Sequence, residues 1–411
     1  MKSFSVVLKN TAILTVSEVF LKILGFLWTV YLTHVLTVEL FGRYNFVNAF
    51  IGILSFLPDL GVGLIVIREI AKKKESSSQF ISGSLILTFI LTTLTIGIIL
   101  FSSNFLYHSK EVQLLVFLAS ATLLVSSMRS VFILYFEGIQ NIKLTAIIHS
   151  LNSFLLILGG FIGYVFLHNI KDIFLGMLIG TLVGFLITFS IFLKIANLRF
   201  VFNRRITKML FLEGLPLGIA SLSSLLYTQI DSVILNQLAG EKAVGIYNSA
   251  SPFPLAIVQL LNVPFMVSLY PMLSKLSFSQ KNLTSAVKKS LLIILLWSIP
   301  CFLIIYLLAP VIIPLIYGNR YNQAIQILQI LIISVPFMSL SALLYKVLII
   351  LNKQHIYLRI SILGAFLNVI LNIILISRFS IIGASIGLIL THAFLFVLFS
   401  LFVYRYLKKS I

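Results

Sequence analysis

The sequence predicts an all-α membrane protein of about twelve transmembrane helices, in two six-helix lobes related by a pseudo-twofold axis along the membrane normal. Three observations predict it: charge is scarce, the apolar runs are long enough to cross a bilayer, and a short segment recurs half a chain later. Of 411 residues, 60% are hydrophobic and only 10% are charged, and mean hydropathy is +1.12. Soluble domains carry roughly a quarter charged residues. So few charges cannot cover a water-facing surface, so the surface must face lipid. The stretches 76–109, 144–170, 173–193, 243–274, 290–319, 321–345 and 379–404 hold no charge at all. Each accommodates a helix of about 20 residues, the length that crosses a hydrocarbon core of about 30 Å. Runs of this length without period-two alternation read as helices rather than strands.

Spans are expected near 11–33, 44–66, 81–103, 113–136, 145–167, 173–193, 211–238, 247–272, 290–309, 325–350, 360–377 and 381–404. The first is read as a span and not a cleavable leader, because no small-residue cleavage pattern follows it. A formal net charge of +19 invites a nucleic-acid reading, but its distribution argues against one. With the N-terminus inside, 21 of the 30 Lys and Arg fall on inner segments and six on outer ones: Arg43, Lys110, Lys171, Lys242, Arg320 and Arg378. The remaining three, Lys22, Arg129 and Lys346, lie within helices. This is the positive-inside bias. It predicts a multi-pass protein of the cytoplasmic membrane with both termini cytoplasmic, and no nucleic-acid partner. The lone cysteine, Cys301, excludes an intramolecular disulfide or a cysteine metal cluster and reads as a small buried hydrophobe.

The recurring segment is Val30 to Asn45, VYLTHVLTVELFGRYN, which aligns without gaps on Val233 to Asn248, VILNQLAGEKAVGIYN. Gly42, Tyr44 and Asn45 fall on Gly245, Tyr247 and Asn248. Each copy joins the first and second helices of a half. An even number of helices per half gives both the same orientation, with a site expected between the lobes near the midplane. The lobes are expected to be 1–200 and 201–411, divided within the basic segment 194–210. That segment and 273–289 are long enough to form short surface helices. Nine of the ten prolines lie in the second half, and Pro252, Pro254, Pro264 and Pro271 predict a bent eighth helix.

Three segments carry a family resemblance. YLTHVLTVELFGRYNFVNAF leads to DLGVGLIVIREIAKK, with Asp59-Leu60-Gly61 and then Arg68-Glu69. YTQIDSVILNQLAGEKAVGIYNSAS spans the seventh helix and its turn. RFSIIGASIG precedes the last helix, with Ser380 where glycine is usual. In order, spacing and helix count the chain resembles the oligosaccharide flippase (polysaccharide biosynthesis protein) branch of the multidrug/oligosaccharidyl-lipid/polysaccharide exporter superfamily. The resemblance implies transport of a polyprenyl-linked oligosaccharide from the inner to the outer leaflet by alternating access. It implies a lipid-linked oligosaccharide substrate, contact with membrane lipids, and glycan-assembly enzymes as partners.

Charges within spans are costly, roughly 2.5–3.5 kcal/mol at the centre by insertion scales, so each asks for a reason. The pyrophosphate of such a substrate needs fixed positive partners. Lys22, Arg129 and Lys346 are the candidate head-group contacts, with Arg68 at the inner mouth. The bland alternatives are a pair between Lys22 and Glu18 and snorkelling of Arg129 and Lys346 to the interface. The resemblance further implies a sodium site among the seventh, eleventh and twelfth helices, where this chain offers Asp231, Asn368, Asn372 and Thr391. The eleventh helix carries asparagine where some relatives have an acid. Interhelical hydrogen bonding is the alternative for these residues. Proton coupling through Asp231, His149 or His392 would replace sodium by H+. Asp59, Arg68 and Glu69 also read as fixing the end of the second helix.

No cofactor or metal beyond the coupling ion is expected, and the chain is read as a transporter rather than an enzyme. It has no phosphate-cradling glycine loop, no H-E-x-x-H and no D-x-D pair. Three rival readings remain at this point. One is a cation-coupled multidrug exporter of the same superfamily. The second is a membrane-embedded glycan polymerase or transferase, which usually carries a large loop absent here. The third is a structural subunit of a membrane complex, which should tolerate loss of Lys22 and Asp231. The topology has a direct test: cysteines introduced at Asn141 and Lys171 are expected to label from opposite sides of the membrane. Same-side labelling would overturn it.

Overall fold

A computed structural model describes residues 2–72, 77–106, 109–196, 200–276, 279–351 and 353–408. The helices are α1 (Lys2–Val35), α2 (Val38–Leu54), α3 (Val62–Lys72), α4 (Ser77–Leu106), α5 (Lys110–Gly138), α6 (Ile142–Leu167) and α7 (Ile170–Ile195). They continue as α8 (Arg204–Ala250), α9 (Pro252–Leu276), α10 (Gln280–Tyr317), α11 (Gln323–Leu331), α12 (Ser334–Ile350) and α13 (Gln354–Lys408). Among the described residues there is no strand. Among those residues, nine helical segments are long and apolar enough to span a membrane. Their large apolar side chains face outward: Leu315 is 79% exposed and Leu260 76%. In water such a surface would aggregate; in hydrocarbon it is the expected one. The chain is a multi-pass membrane protein.

The twelve expected spans are recovered once three local events are read correctly. α8 turns back on itself at Gly240 (φ +82°) and α13 at Ser380 (φ +52°), so each supplies two antiparallel limbs. The third event corrects the expected continuous helix at 44–66. The chain leaves helix at Leu54 and re-enters it at Val62, through Leu60 and Gly61 with φ of +44° and +74°. Pro58 and Gly61 disfavour helix here, and Asp59 supplies the new helix start. Its carboxylate accepts from Gly61 N at 3.1 Å and from Gly63 N at 2.9 Å, satisfying donors that a helix N-terminus leaves open.

One further expectation is corrected. The segments 194–210 and 273–289 hold no separate surface helix among the described residues; α7 ends at Ile195, α8 begins at Arg204, α9 ends at Leu276 and α10 starts at Gln280. The reason is local capping and overlong helices: Asn203 accepts from Arg205 N and Ile206 N and starts α8 directly. The eighth span, expected at 247–272, is interrupted at Ser251 between α8 and α9, and Pro252 and Pro254 fall in the first turn of the new helix, where proline is tolerated. Pro264, Pro271, Lys2, Lys9 and Lys275 have side chains outside the described set, and Lys73, Lys74, Arg199 and Lys409 lie outside the described residues altogether.

The chain divides into two compact units, one formed by Met1–Val35 and Val47–Leu225, the other by Leu36–Phe46 and Leu226–Ile411. In the first, α3 packs Val62, Ile65, Val66 and Ile70 against Phe132 and Phe136 of α5 and Phe192 of α7. The Phe132 and Phe192 rings are 4.7 Å apart between centroids. α6 and α7 meet through small residues: a Cβ at Gly159 would strike the Gly176 carbonyl, and one at Gly180 that of Leu155. Close approach of this kind is how helices associate without a hydrophobic driving force. In the second unit the core joins Leu283 and Val287 of α10, Leu343 and Val347 of α12, and Ile360, Phe399 and Val403 of α13.

The second unit also holds the second copy of the recurring segment and residues 36–45 of the first, and these meet reciprocally. A Cβ on Gly42 would strike the carbonyl of Glu241, and one on Gly245 the carbonyl of Val38. At the offset of the repeat, Val38 corresponds to Glu241 and Gly42 to Gly245. The shared asparagines make the same bond: Asn45 Nδ2 donates to Phe41 O at 2.8 Å and Asn248 Nδ2 to Val244 O at 3.0 Å. Arg43 pairs with Glu241 at 2.7 Å, Lys242 approaches Glu39 at 3.9 Å, and Arg320 Nη1 donates to Leu36 O at 3.0 Å. Three of the six cations expected outside therefore gather here. Gly42→Val is expected to lower stability by about 1–3 kcal/mol through overpacking, seen as a lower thermal midpoint in detergent. Gly25→Val, with open space around it, serves as the unaffected control; equal midpoints would refute the crossing.

Candidate functional site

The turn at Gly240 lays the two limbs of α8 side by side, so that residues sixteen apart face each other. Asp231 meets Tyr247, whose hydroxyl donates to Oδ2 at 2.6 Å. One position on, Asn248 Nδ2 donates to Ser232 Oγ at 2.9 Å. The turn at Ser380 does the same in α13, where Asn368 Nδ2 donates to Thr391 Oγ1 at 3.3 Å. The two hairpins join through Asn372, which donates to Asp231 Oδ1 at 2.6 Å and to Asn368 Oδ1 at 3.2 Å. Asp231, Asn368, Asn372 and Thr391 are therefore one network, with all four side chains buried.

Its composition is unusual for a buried charge. Asp231 has two neutral donors, and among the described residues no Lys, Arg or His pairs with it. Asn372 Oδ1 is buried with no hydrogen-bond partner. An ionised carboxylate out of water needs compensation, and here the surplus is on the acceptor side. A carboxylate, two amide oxygens and a hydroxyl form an oxygen-donor set that suits a hard cation; a proton on Asp231 is the other means of compensation. Nothing here suits a transition metal: among the described residues no group of three or more His, Cys, Asp or Glu converges. Tyr247 was not singled out from the sequence as a site residue, although it was visible as one of the three identities in the repeat.

The four candidate head-group cations are not brought together by any contact. Arg129 on α5, in the first unit, is the most constrained: Nε and Nη1 are buried without a hydrogen-bond partner. On the same helix face, one and two turns earlier, Ser126 and Thr122 join Asn48 in lining a cavity of about 170 Å³. Lys22 is exposed on α1, and Glu18 is exposed as well; they form no ion pair with each other. Lys346 is half-buried on α12 in the second unit. Arg68 is committed to acids, donating from Nε to Glu69 at 2.8 Å and from Nη2 to Glu213 at 2.7 Å. Glu69 also takes Lys72 at 2.9 Å. That bond is the main reason its carboxyl sits below the ordinary value, with Arg68 adding to it and burial opposing. Its contribution to stability is present above the ordinary carboxylate range and fades as pH falls. Glu213 carried no sequence signal. Of the histidines, His149 lies 3.6 Å from Glu137 and His392 follows Thr391 on α13.

Comparison with known proteins places this geometry. Residues 7–277 match the family described as polysaccharide biosynthesis protein, and residues 216–374 match the MatE family. The capsular polysaccharide biosynthesis protein CapF of Staphylococcus aureus is 24% identical over 409 residues, covering 98% of this chain and 99% of that protein. A putative O-antigen transporter of Shigella dysenteriae is 24% identical over 383 residues, 90% of this chain and 93% of the other. An uncharacterized membrane protein of Methanocaldococcus jannaschii is 29% identical over 199 residues, 48% of this chain but only 39% of that relative's length. Among solved structures, the lipid II flippase MurJ in an inward closed conformation superposes with a TM-score of 0.80 at 18% identity, covering 95% of this chain and 87% of that one. An inward-facing multidrug resistance MATE transporter of the MOP superfamily gives 0.78 at 18% identity, covering 95% of each. These likenesses establish the two-lobe fold.

The network has a test independent of transport. Asn372→Leu removes the link between the hairpins and is expected to lower the thermal midpoint in detergent by an amount worth about 0.6–2 kcal/mol. An unchanged midpoint would mean that the link is not formed.

Proposed function

We propose that this chain, which belongs to the polysaccharide biosynthesis protein family, moves a polyprenyl-linked oligosaccharide from the cytoplasmic to the outer leaflet of the cell membrane by alternating access. Both termini are then cytoplasmic, and no covalent chemistry is required of the protein. The lobes are 1–200 and 201–411 in sequence terms.

The observation that carries the reading is Arg129. A guanidinium with two buried, unpartnered nitrogens inside a span is unfavourable unless an anion completes it. The pyrophosphate of a lipid-linked glycan offers such an anion, and arginine suits phosphate by its planar fork of donors. Lys22 and Lys346 supply further positive charge, while Arg68 organises the cytoplasmic end of α3 through Glu69 and Glu213. The names borne by relatives support the same substrate class: one is a putative O-antigen transporter and another a probable low-salt glycan biosynthesis flippase, from Haloferax volcanii. Asp231, Asn368, Asn372 and Thr391, with Tyr247, form the coupling site for Na+ or H+. Cation binding there draws the α8 and α13 hairpins together, and release loosens them.

Liposomes containing only this protein and a fluorescent polyprenyl-pyrophosphate oligosaccharide provide the test. Protein-dependent translocation is expected, with a rate that responds to a sodium or proton gradient. Arg129→Gln should lower the rate at least tenfold at equal protein level, and Asp231→Asn should remove the response to the gradient. Efflux of cationic dyes without glycolipid translocation would favour a multidrug exporter; release of a polymerised product would favour a glycan polymerase.

A further inference from the structure

The second unit carries a cleft that the transport site does not use. It opens where α9 ends and α10 begins, the cytoplasmic side in the proposed topology, and has a volume of about 530 Å³. This lies within the range of roughly 300–1,000 Å³ typical of small-ligand sites. Its two walls differ in chemistry. From α9 come Phe265, Leu269 and Met272, spaced i, i+4, i+7 on one face; from α10 come Asn282, Ser285 and Lys289, spaced i, i+3, i+7. One wall is therefore wholly apolar, and the other presents an amide, a hydroxyl and an ammonium group in a row.

The charge on that polar wall is not met by the protein. No Asp or Glu follows Glu241 in the chain, while thirteen Lys and Arg do. Neither α9 nor α10 contains an acid. Lys289 forms no ion pair among the described residues, and it is exposed together with Lys281 and Lys288 on the same helix. An ammonium beside hydrogen-bonding side chains at the mouth of an apolar groove calls for an amphiphile with an anionic oxygen-rich head. The groove is bounded by a single pair of helices, with one apolar stripe. That favours a head group carrying one hydrocarbon chain over a two-chain phospholipid.

We propose that the α9–α10 cleft is a docking site for the polyisoprenyl phosphate moiety of the substrate in the cytoplasmic leaflet. Lys289, Asn282 and Ser285 hold the phosphate, and Phe265, Leu269 and Met272 hold the first isoprene units. The proposal rests on the glycolipid-transport reading and adds to it a place where the anchor is held, apart from Arg129.

The test is photolabelling of the full chain in nanodiscs with a diazirine-bearing polyprenyl phosphate, run beside the liposome flipping assay on the same preparation. Label is expected within residues 265–293, competed by unlabelled polyprenyl phosphate and not by equal phosphatidylglycerol. Lys289→Glu should cut labelling at least tenfold, and Ser285→Trp, which fills the groove without changing charge, should do the same. Both variants are checked for an unchanged thermal midpoint, so a loss through misfolding in one is exposed by the other. Label outside this stretch, or equal competition by phosphatidylglycerol, overturns the cleft as the anchor's site. Flipping without label in the cleft overturns only this proposal; label in the cleft without flipping overturns the transport reading and leaves the cleft standing.

Discussion

Within a bilayer, helices gain nothing by hiding apolar surface from water, so their association depends on how closely two backbones can approach. In this chain the closest approaches are made by glycine. Gly42 faces the carbonyl of Glu241, Gly245 that of Val38, and Gly383 that of Leu375. The last two stand beside the turns at Gly240 and Ser380 that fold α8 and α13 into hairpins. Gly383 brings the two limbs of α13 close, Gly245 packs the second limb of α8 against α2, and within these hairpins Tyr247 and Asn372 both reach Asp231 at 2.6 Å. Side-chain chemistry in the second unit is thus a consequence of backbone proximity, and the candidate coupling site inherits its geometry from residues that carry no functional group.

Charge is settled in two ways. In the first, Arg68 is answered by Glu69 and Glu213, and Asp59 by backbone amides. These are contacts a folded chain can make by itself. Arg129 is not answered, and Asp231 is answered only by neutral donors. A buried ionisable group whose environment leaves it incomplete is costly to stability and is retained where something else completes it. Under the proposed function an anion completes the arginine, and a cation or a proton the Asp231 network. Opposite requirements in separate units are what a carrier of an anionic lipid, driven by a cation, would need.

Much of this was legible in the sequence, for identifiable reasons. Span positions follow from hydrophobic length, which is a property of the bilayer and needs no tertiary information. The break at 55–61 was concealed because the run leading into Pro58 is almost wholly apolar, although Pro-Asp-Leu-Gly is a turn signal. The repeat located Gly42 and Gly245 but not their role, since close approach of backbones is invisible to pattern. Asp231, Asn368, Asn372 and Thr391 were grouped through family resemblance rather than spacing. Tyr247, sixteen residues from Asp231, could be joined to it only by knowing that the chain reverses at Gly240. Which way Lys22, Arg129 and Lys346 face depends on helix rotation, which a uniformly apolar helix does not reveal.

The segment Leu36–Phe46 belongs to the second unit although in sequence it lies between the two stretches of the first. It emerges during synthesis some two hundred residues ahead of Glu241 and Gly245, the groups it packs against. The first unit has all its residues once Leu225 has appeared, whereas the second cannot be completed from its own later stretch of nascent chain alone. Assembly has to wait until both halves are in the membrane, and until then the Val38 and Glu241 carbonyls, Arg43 and Glu39 lack their final partners. For a protein of this kind the insertion machinery handles an unfinished clasp, and the later half of the chain made alone would lack the Leu36–Phe46 segment that its unit packs against.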